Sequence, residues 1–387
     1  MAKAMIIDAV RTPIGRFGGG LLEHSAAGLA AHVVKALIER NAIPGDVVDE
    51  VFMGQVIQAG SGINIARQAA LKAGLPLSVI GSTINIACAS GMKALDMARQ
   101  GIMLGEGEVY IAGGAESMSN VPFMVKQMRW GQKLGNVEMI DGVMDGLTCS
   151  VTGMGMGLTA EEIASRYGIS REDMDAWALG SQEKAAAAIA AGRFVDEIVP
   201  VPRKKGEPVA VDEHPRATSL EALAGLRPAF KPDGCITAGN ASGINDGAAA
   251  CLIASEEKAA ALGWKPRATI LGAAYAGIEP EIMGMGPVEA VRKLCGKLGC
   301  AAGDFELVEL NEAFAVQAVA VVRELALDEA KVNVNGSGIA LGHPIGATGA
   351  RIVTSLLYEM ERRDVKLGLA TLCVGGGMGM AMAIGRA

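Results

Sequence analysis

The sequence predicts an α/β protein with mixed or parallel sheets, and three observations carry that prediction. Short apolar runs suited to buried strands alternate along the chain with segments of helical apolar spacing. The two ends of the chain repeat one plan of strand, helix start and glycine-rich strand around a middle of different texture. At 387 residues, 50% hydrophobic, the chain is long enough for two or three soluble globular domains.

The elements follow in order. Residues 4–10 form an apolar run that reads as a buried strand, and 25–40 have helical spacing with Ser25 as N-cap. An acid-flanked strand is expected at 48–54. Residues 73–92 contain no Asp, Glu, Lys or Arg, and a helix over 90–104 starts just after Asn85-Ile86-Ala87-Cys88. Residues 108–112 read as a strand, and 109–114 as its glycine-bearing form. From 117 to 243 the chain turns to Met- and Gly-rich loops, an Ala-rich helix over 172–191 expected only to pack, and a basic, Pro-bearing stretch at 200–208. This segment reads as an insertion that contributes loops to a cleft. A strand at 249–254 and a helix at 287–298 come next. The second half then repeats the first, with a strand at 305–310, a helix start after Asn333-Val334-Asn335-Gly336, and a glycine strand at 369–377.

A net charge of −7 and 4% aromatic residues argue against nucleic acid as a partner. Seven Cys, no CxxC pair and no signal peptide point to reduced thiols, a cytoplasmic setting and no cysteine-bound metal. The charge-free stretches 73–92, 332–350 and 367–385 carry too many Asn, Pro and Gly residues for membrane spans. They are expected to be backbone buried deep in the core, with a few polar side chains enclosed there.

Four residues stand where chemistry is plausible. Cys88 sits at a helix start, where backbone N–H groups can lower a thiol from about 8.5 into roughly 3.5–7.5; a buried structural thiol is the plainer reading. His343 lies in the glycine-punctuated run 338–349, where an idle loop histidine is the alternative. Cys373 precedes Val374-Gly375-Gly376-Gly377 and also fits a core thiol. Asn311 follows a strand, and helix capping explains it equally well. Met154, Met156 and Met283 stand among glycines, as core residues or a ligand wall.

These residues, with the runs 10–19, 85–95, 237–248, 311–314, 335–349 and 373–379, resemble the thiolase family over essentially the whole chain. The resemblance implies two similar βαβαβαββ halves in a five-layered αβαβα core with an inserted loop domain. The expected division is 1–117 plus 244–264, 118–243, and 265–387. It implies reversible Claisen condensation of coenzyme A thioesters, with Cys88 as nucleophile, His343 as its base and Cys373 as second base. One oxyanion site would use His343 and a water held by Asn311, the other the N–H groups of Cys88 and Gly375. Arg216, Ser242, Phe230, Leu147, Met156, Ala313 and Phe314 match coenzyme A contacts, and Met156 and Met283 wall the acyl pocket. Arg203, Lys204, Lys205 and Arg227 are weaker candidates for the phosphates.

Acetyl-CoA and 3-ketoacyl-CoA are the implied substrates. No tightly bound cofactor, metal, nucleic acid or membrane is expected, and the assembly would be a homodimer or homotetramer, with 118–147 in an interface. Gly155 stands where the short-chain biosynthetic branch commonly has His, which keeps a degradative 3-ketoacyl-CoA thiolase open. A non-enzymatic thiolase-like lipid carrier is the alternative from another class. A decarboxylating ketoacyl synthase shares the fold but carries His where this chain has Cys373.

Overall fold

Every residue of the first strand, β1 (Ala4–Arg11), is buried, its charged Asp8 and Arg11 included. In the computed structural model, which describes residues 2–386, β1 opens the series α1 (Ala26–Arg40), β2 (Glu50–Gly54), α2 (Ile65–Lys72), β3 (Ile80–Ile84), α3 (Ser90–Leu104) and β4 (Val109–Ser117). Ser25 caps α1 by accepting the Gly28 N–H. The inserted segment holds α4 (Met156–Tyr167) and α5 (Arg171–Ala190), and the chain returns in β5 (Asn245–Ser255). Then β6 (Ala268–Gly277), α6 (Gly286–Leu298), β7 (Leu307–Leu310), α7 (Ala315–Leu325), α8 (Thr348–Arg363), β8 (Leu367–Val374) and β9 (Met378–Arg386) repeat the order of the first half.

These strands form one sheet in the order β7-β8-β9-β6-β1-β5-β4-β2-β3. β2 runs parallel to β3 and β4, and β7 parallel to β8. Val332 bridges Val308 in parallel, so it holds the place that β3 has in the first half. The halves meet between β1 and β6 only at Met5↔Thr269 and Ile6↔Ala268. That narrow seam lets the sheet fold around α3 and α8. Side-chain alternation sorts the layers. Ile6 and Ala9 of β1, Leu372 of β8 and Met382 of β9 pack with α3 and α8. Met5, Ile7 and Val10 face α1 and α2, while Leu369 and Ala383 face α6 and α7. The order is helix, sheet, helix, sheet, helix, the expected five layers.

Four sequence expectations are corrected. The stretch 73–92 is not deep core throughout, because β3 is the edge of the sheet and Ile80 is 59% exposed. The long helix of the second half does not start after 336. A single turn, Gly338–Leu341, and a loop containing Pro344 intervene, and α8 starts at Thr348. The glycine strand stops at Val374, because Val374 pairs with Met378 and the three glycines form the connecting turn. The Ala-rich helix α5 is more than packing, since its polar face holds the site from behind, as described next.

Candidate active site

Cys88 sits between the end of β3 and the first turn of α3. Ala87 before it has φ +52°, a left-handed conformation that costs a residue with a side chain about 1–2 kcal/mol. Its surroundings enforce that turn. Asn85 Oδ1 accepts the Ala87 N–H at 2.9 Å, and the Ser90 hydroxyl accepts the Ile86 N–H at 3.0 Å while donating to the Ala87 carbonyl at 2.6 Å. Ala89 offers no side-chain cap, and the first N–H of the helix, that of Ser90, donates to the Ala87 carbonyl at 3.0 Å. The Gly375 N–H donates to Cys88, yet burial outweighs these contacts and pushes the thiol above its ordinary range. The lowering expected from the helix start therefore does not prevail. This cysteine needs a base.

His343 supplies the matching feature. Its Nδ1 lies 2.7 Å from Thr348 Oγ1, and that hydroxyl is 2.9 Å from the Pro344 carbonyl. The carbonyl can only accept, so the hydroxyl donates to it and must itself accept from Nδ1–H. The lone pair then sits on Nε2. Burial, and then repulsion from the Arg351 guanidinium, lower the ring to about 3, so the imidazole is neutral at physiological pH. Asn245 Oδ1 accepts the His343 N–H at 2.9 Å. On the Nε2 side, Asn311 Nδ2 stands 3.5 Å away, and Asn311 Oδ1 has no partner in the protein among the described residues.

Asn311 does not cap α7. Phe314 holds the cap position without a side-chain hydrogen bond, and Asn311 N–H instead donates to the Thr371 carbonyl of β8 at 3.0 Å. Cys373, two residues along β8, is fully buried; burial and the neighbouring Cys88 thiol raise it. Cys88 also packs against the buried cluster that contains Ile345, two residues from His343. The four residues singled out in the sequence thus surround one point between the halves.

Direct contacts join Leu147, Met156, Phe230 and Ser242 of the insertion to one another or to the second half. Met156 N–H donates to the Leu147 carbonyl at 2.9 Å, and a Cβ at Gly375 would lie 3.5 Å from Met156 Sδ. Gly157 is needed as glycine, because a Cβ there would come within 2.2 Å of the Phe230 ring. Phe230 meets Phe314 edge to face at 6.1 Å, Ala241 bridges Phe314, and Ser242 N–H donates to the Ala313 carbonyl at 3.0 Å. Met283 is buried in the cluster that includes Phe314, with Met156 packed against it. Arg216 is exposed and donates to the Ala238 carbonyl at 2.8 Å. Arg203, Lys204 and Lys205 are elsewhere, on a loop tied by Lys204 N–H to Glu23 beside the start of α1. A side chain at Gly155 would meet open space.

Two buried carboxylates were missed in the sequence. Glu116, at the end of β4, accepts the N–H groups of Val56, Gly346 and Ile57 at 2.9, 3.0 and 3.3 Å, which joins loops of both halves. Burial pushes it up to about 8 against those three bonds. Glu312 accepts from Trp177 Nε1, the Ser181 hydroxyl, Asn333 Nδ2 and the Ile339 N–H at 3.0, 2.6, 2.9 and 3.2 Å. The trace that Glu116 leaves in the sequence is a single acid closing an otherwise uncharged run, whereas Glu312 is the last of three spaced acids, Glu306, Glu309 and Glu312.

Known proteins share this architecture from end to end. Residues 4–257 match the family model described as thiolase, N-terminal domain, and 264–386 match thiolase, C-terminal domain. The chain is 53% identical to the acetyl-CoA acetyltransferase of Chromobacterium violaceum over 99% of this chain and 100% of the relative. It is 50% identical to that of Cupriavidus necator over 100% of both. The crystal structure of the Bacillus anthracis acetyl-CoA acetyltransferase superposes with a TM-score of 0.98 at 48% identity, covering 100% of this chain and 99% of that one. With both halves matched and the cysteine, histidine and asparagine loops gathered at their junction, the chain belongs to the thiolase family.

Proposed function

We propose that the chain is an acetyl-CoA acetyltransferase, condensing two acetyl-CoA molecules to acetoacetyl-CoA and coenzyme A and catalysing the reverse thiolysis. What supports this most is the fit between a thiol raised by burial and a neutral imidazole whose tautomer leaves Nε2 free to take its proton. Cys88 attacks the first thioester after passing its proton to His343, and the tetrahedral adduct expels coenzyme A as its thiolate to leave the acyl-cysteine. Cys373 then removes an α-proton from the second acetyl-CoA, and the enolate attacks the acyl group on Cys88. Each oxyanion needs donors already aimed at it. The N–H groups of Cys88 and Gly375 serve one, and His343 with an Asn311-held water serves the other.

Leu147, Phe230 and Ser242 of the inserted segment 118–243, with Ala313 and Phe314 of the second half, take the pantetheine arm, and Arg216 meets the phosphate end. No tightly bound cofactor takes part. Met156, Met283 and Phe314 close the acyl pocket after a few carbons. The reaction is assigned to the cytoplasm, and among the described residues no helix is long and apolar enough to cross a membrane. The uncovered edge of β3 and the exposed Met128, Trp130 and Met139 favour a homodimer or homotetramer.

Thiolysis of 3-ketoacyl-CoA substrates of increasing length tests the substrate assignment. The highest kcat/KM is expected at four carbons. An efficiency that climbs toward ten carbons would transfer the assignment to a degradative 3-ketoacyl-CoA thiolase.

A further inference from the structure

We propose that Cys295 and Cys300 form a peroxide-responsive dithiol at the C-terminal end of α6, a modification site separate from the acyl-transfer centre. The chain folds the pair together by a local device. Gly299 ends the helix at φ +68°, a conformation that glycine adopts without penalty. Its N–H donates to the Cys295 carbonyl, and the Cys300 N–H reaches the same carbonyl at 3.1 Å. A six-residue closure of this kind brings the residues at its two ends into side-chain contact. In many helices an apolar pair meets there; here the pair is Cys295 and Cys300, with Cys300 packed against the buried cluster that holds Cys295.

The surroundings give the two thiols different parts. Cys295 is buried in the apolar layer outside the second half-sheet, whereas Cys300 is half-buried. Peroxide therefore reaches Cys300 first. Cys300 gives up its proton and attacks one peroxide oxygen as the thiolate; the O–O bond breaks, the sulfur becomes a sulfenic acid, and the departing hydroxide takes up a proton and leaves as water. The Cys295 sulfur then attacks the sulfenic sulfur, forming the S–S bond and expelling a second water. Two thiols lose two electrons and the peroxide gains them. Cys235, also half-buried, has no such resolving partner and donates to Glu161 at 3.2 Å. The pair also lies away from the chemistry. Met283 precedes the start of α6, and the thiols stand at the other end of this 13-residue helix, roughly 20 Å along its axis.

The sequence provides its own readout, because Lys297 lies between the two cysteines. The purified full chain is treated with hydrogen peroxide, alkylated and digested with trypsin. Peptides 294–297 and 298–323 are expected as one linked species that dithiothreitol separates, and the Cys300→Ser variant should lack it. Recovery of the two peptides only unlinked, with Cys300 alkylated or over-oxidised, overturns the proposal. Turnover is measured in parallel on both proteins. Equal sensitivity to peroxide is expected, and a loss of turnover that Cys300→Ser prevents would overturn the separation from the centre.

Discussion

At the residue scale, the two thiols of the site differ in what they are asked to do. In the proposed mechanism Cys88 carries the acyl group, so Cys88→Ser should abolish covalent labelling by radiolabelled acetyl-CoA, a hydroxyl being a far poorer nucleophile at neutral pH. In the same proposed mechanism Cys373 acts only when the second substrate exchanges a proton. Cys373→Ala should release close to one equivalent of coenzyme A per site in a burst and then stall, with condensation down by about 10² to 10⁴. Loss of the burst together with turnover would return Cys373 to the status of a core thiol. His343 makes a separate prediction in pH. Its ring is lowered to about 3 from 6.5, so acylation measured as kcat/KM should show no acid limb at the ordinary imidazole value. The unfolded chain binds a proton at this ring between those two values while the folded chain does not. Its contribution to stability is therefore full above 6.5 and is lost as pH falls toward 3. Urea midpoints of wild type and His343→Asn should converge on acidification across that window.

At the element scale, α5 supports the site from behind. Trp177 and Ser181 project from it to Glu312, whose carboxylate also holds Asn333 and the Ile339 N–H. The asparagine loop after β7 and the turn before His343 are thereby fixed to one helix. Glu312→Gln keeps the shape but replaces one acceptor by a donor facing other donors. It should cost about 1–3 kcal/mol in urea unfolding and lower kcat more than it raises KM, because it loosens Asn311 and His343 rather than the residues proposed to take the pantetheine arm. An unchanged kcat would show that Glu312 only stabilises the fold. Elements of this kind are read poorly from sequence. An Ala-rich helix with no apolar stripe signals packing, and nothing local says that Trp177 and Ser181 face a buried carboxylate 135 and 131 residues further on.

At the scale of the whole molecule, the sheet ends in an unpaired strand. β3 carries Ile80, 59% exposed, with neither charge nor proline to block pairing, and a free edge of that kind invites a second copy. Ile80→Lys should shift sedimentation to a smaller species while circular dichroism stays unchanged; an unaltered assembly would move the interface elsewhere, with residues 118–147 next to test. The sequence by itself determined the alternation of elements, the duplicated plan, and the candidates Cys88, His343, Cys373 and Asn311, because periodicity, capping and glycine-rich turns are local properties that neighbouring residues fix. Only the tertiary structure decided that burial overrides the helix start at Cys88, that Thr348 sets the tautomer of His343, and that Glu116 and Glu312 tie distant loops together. Desolvation and buried hydrogen-bond partners depend on which segments enclose a group, and here those segments come from both halves of the chain and from the insertion between them.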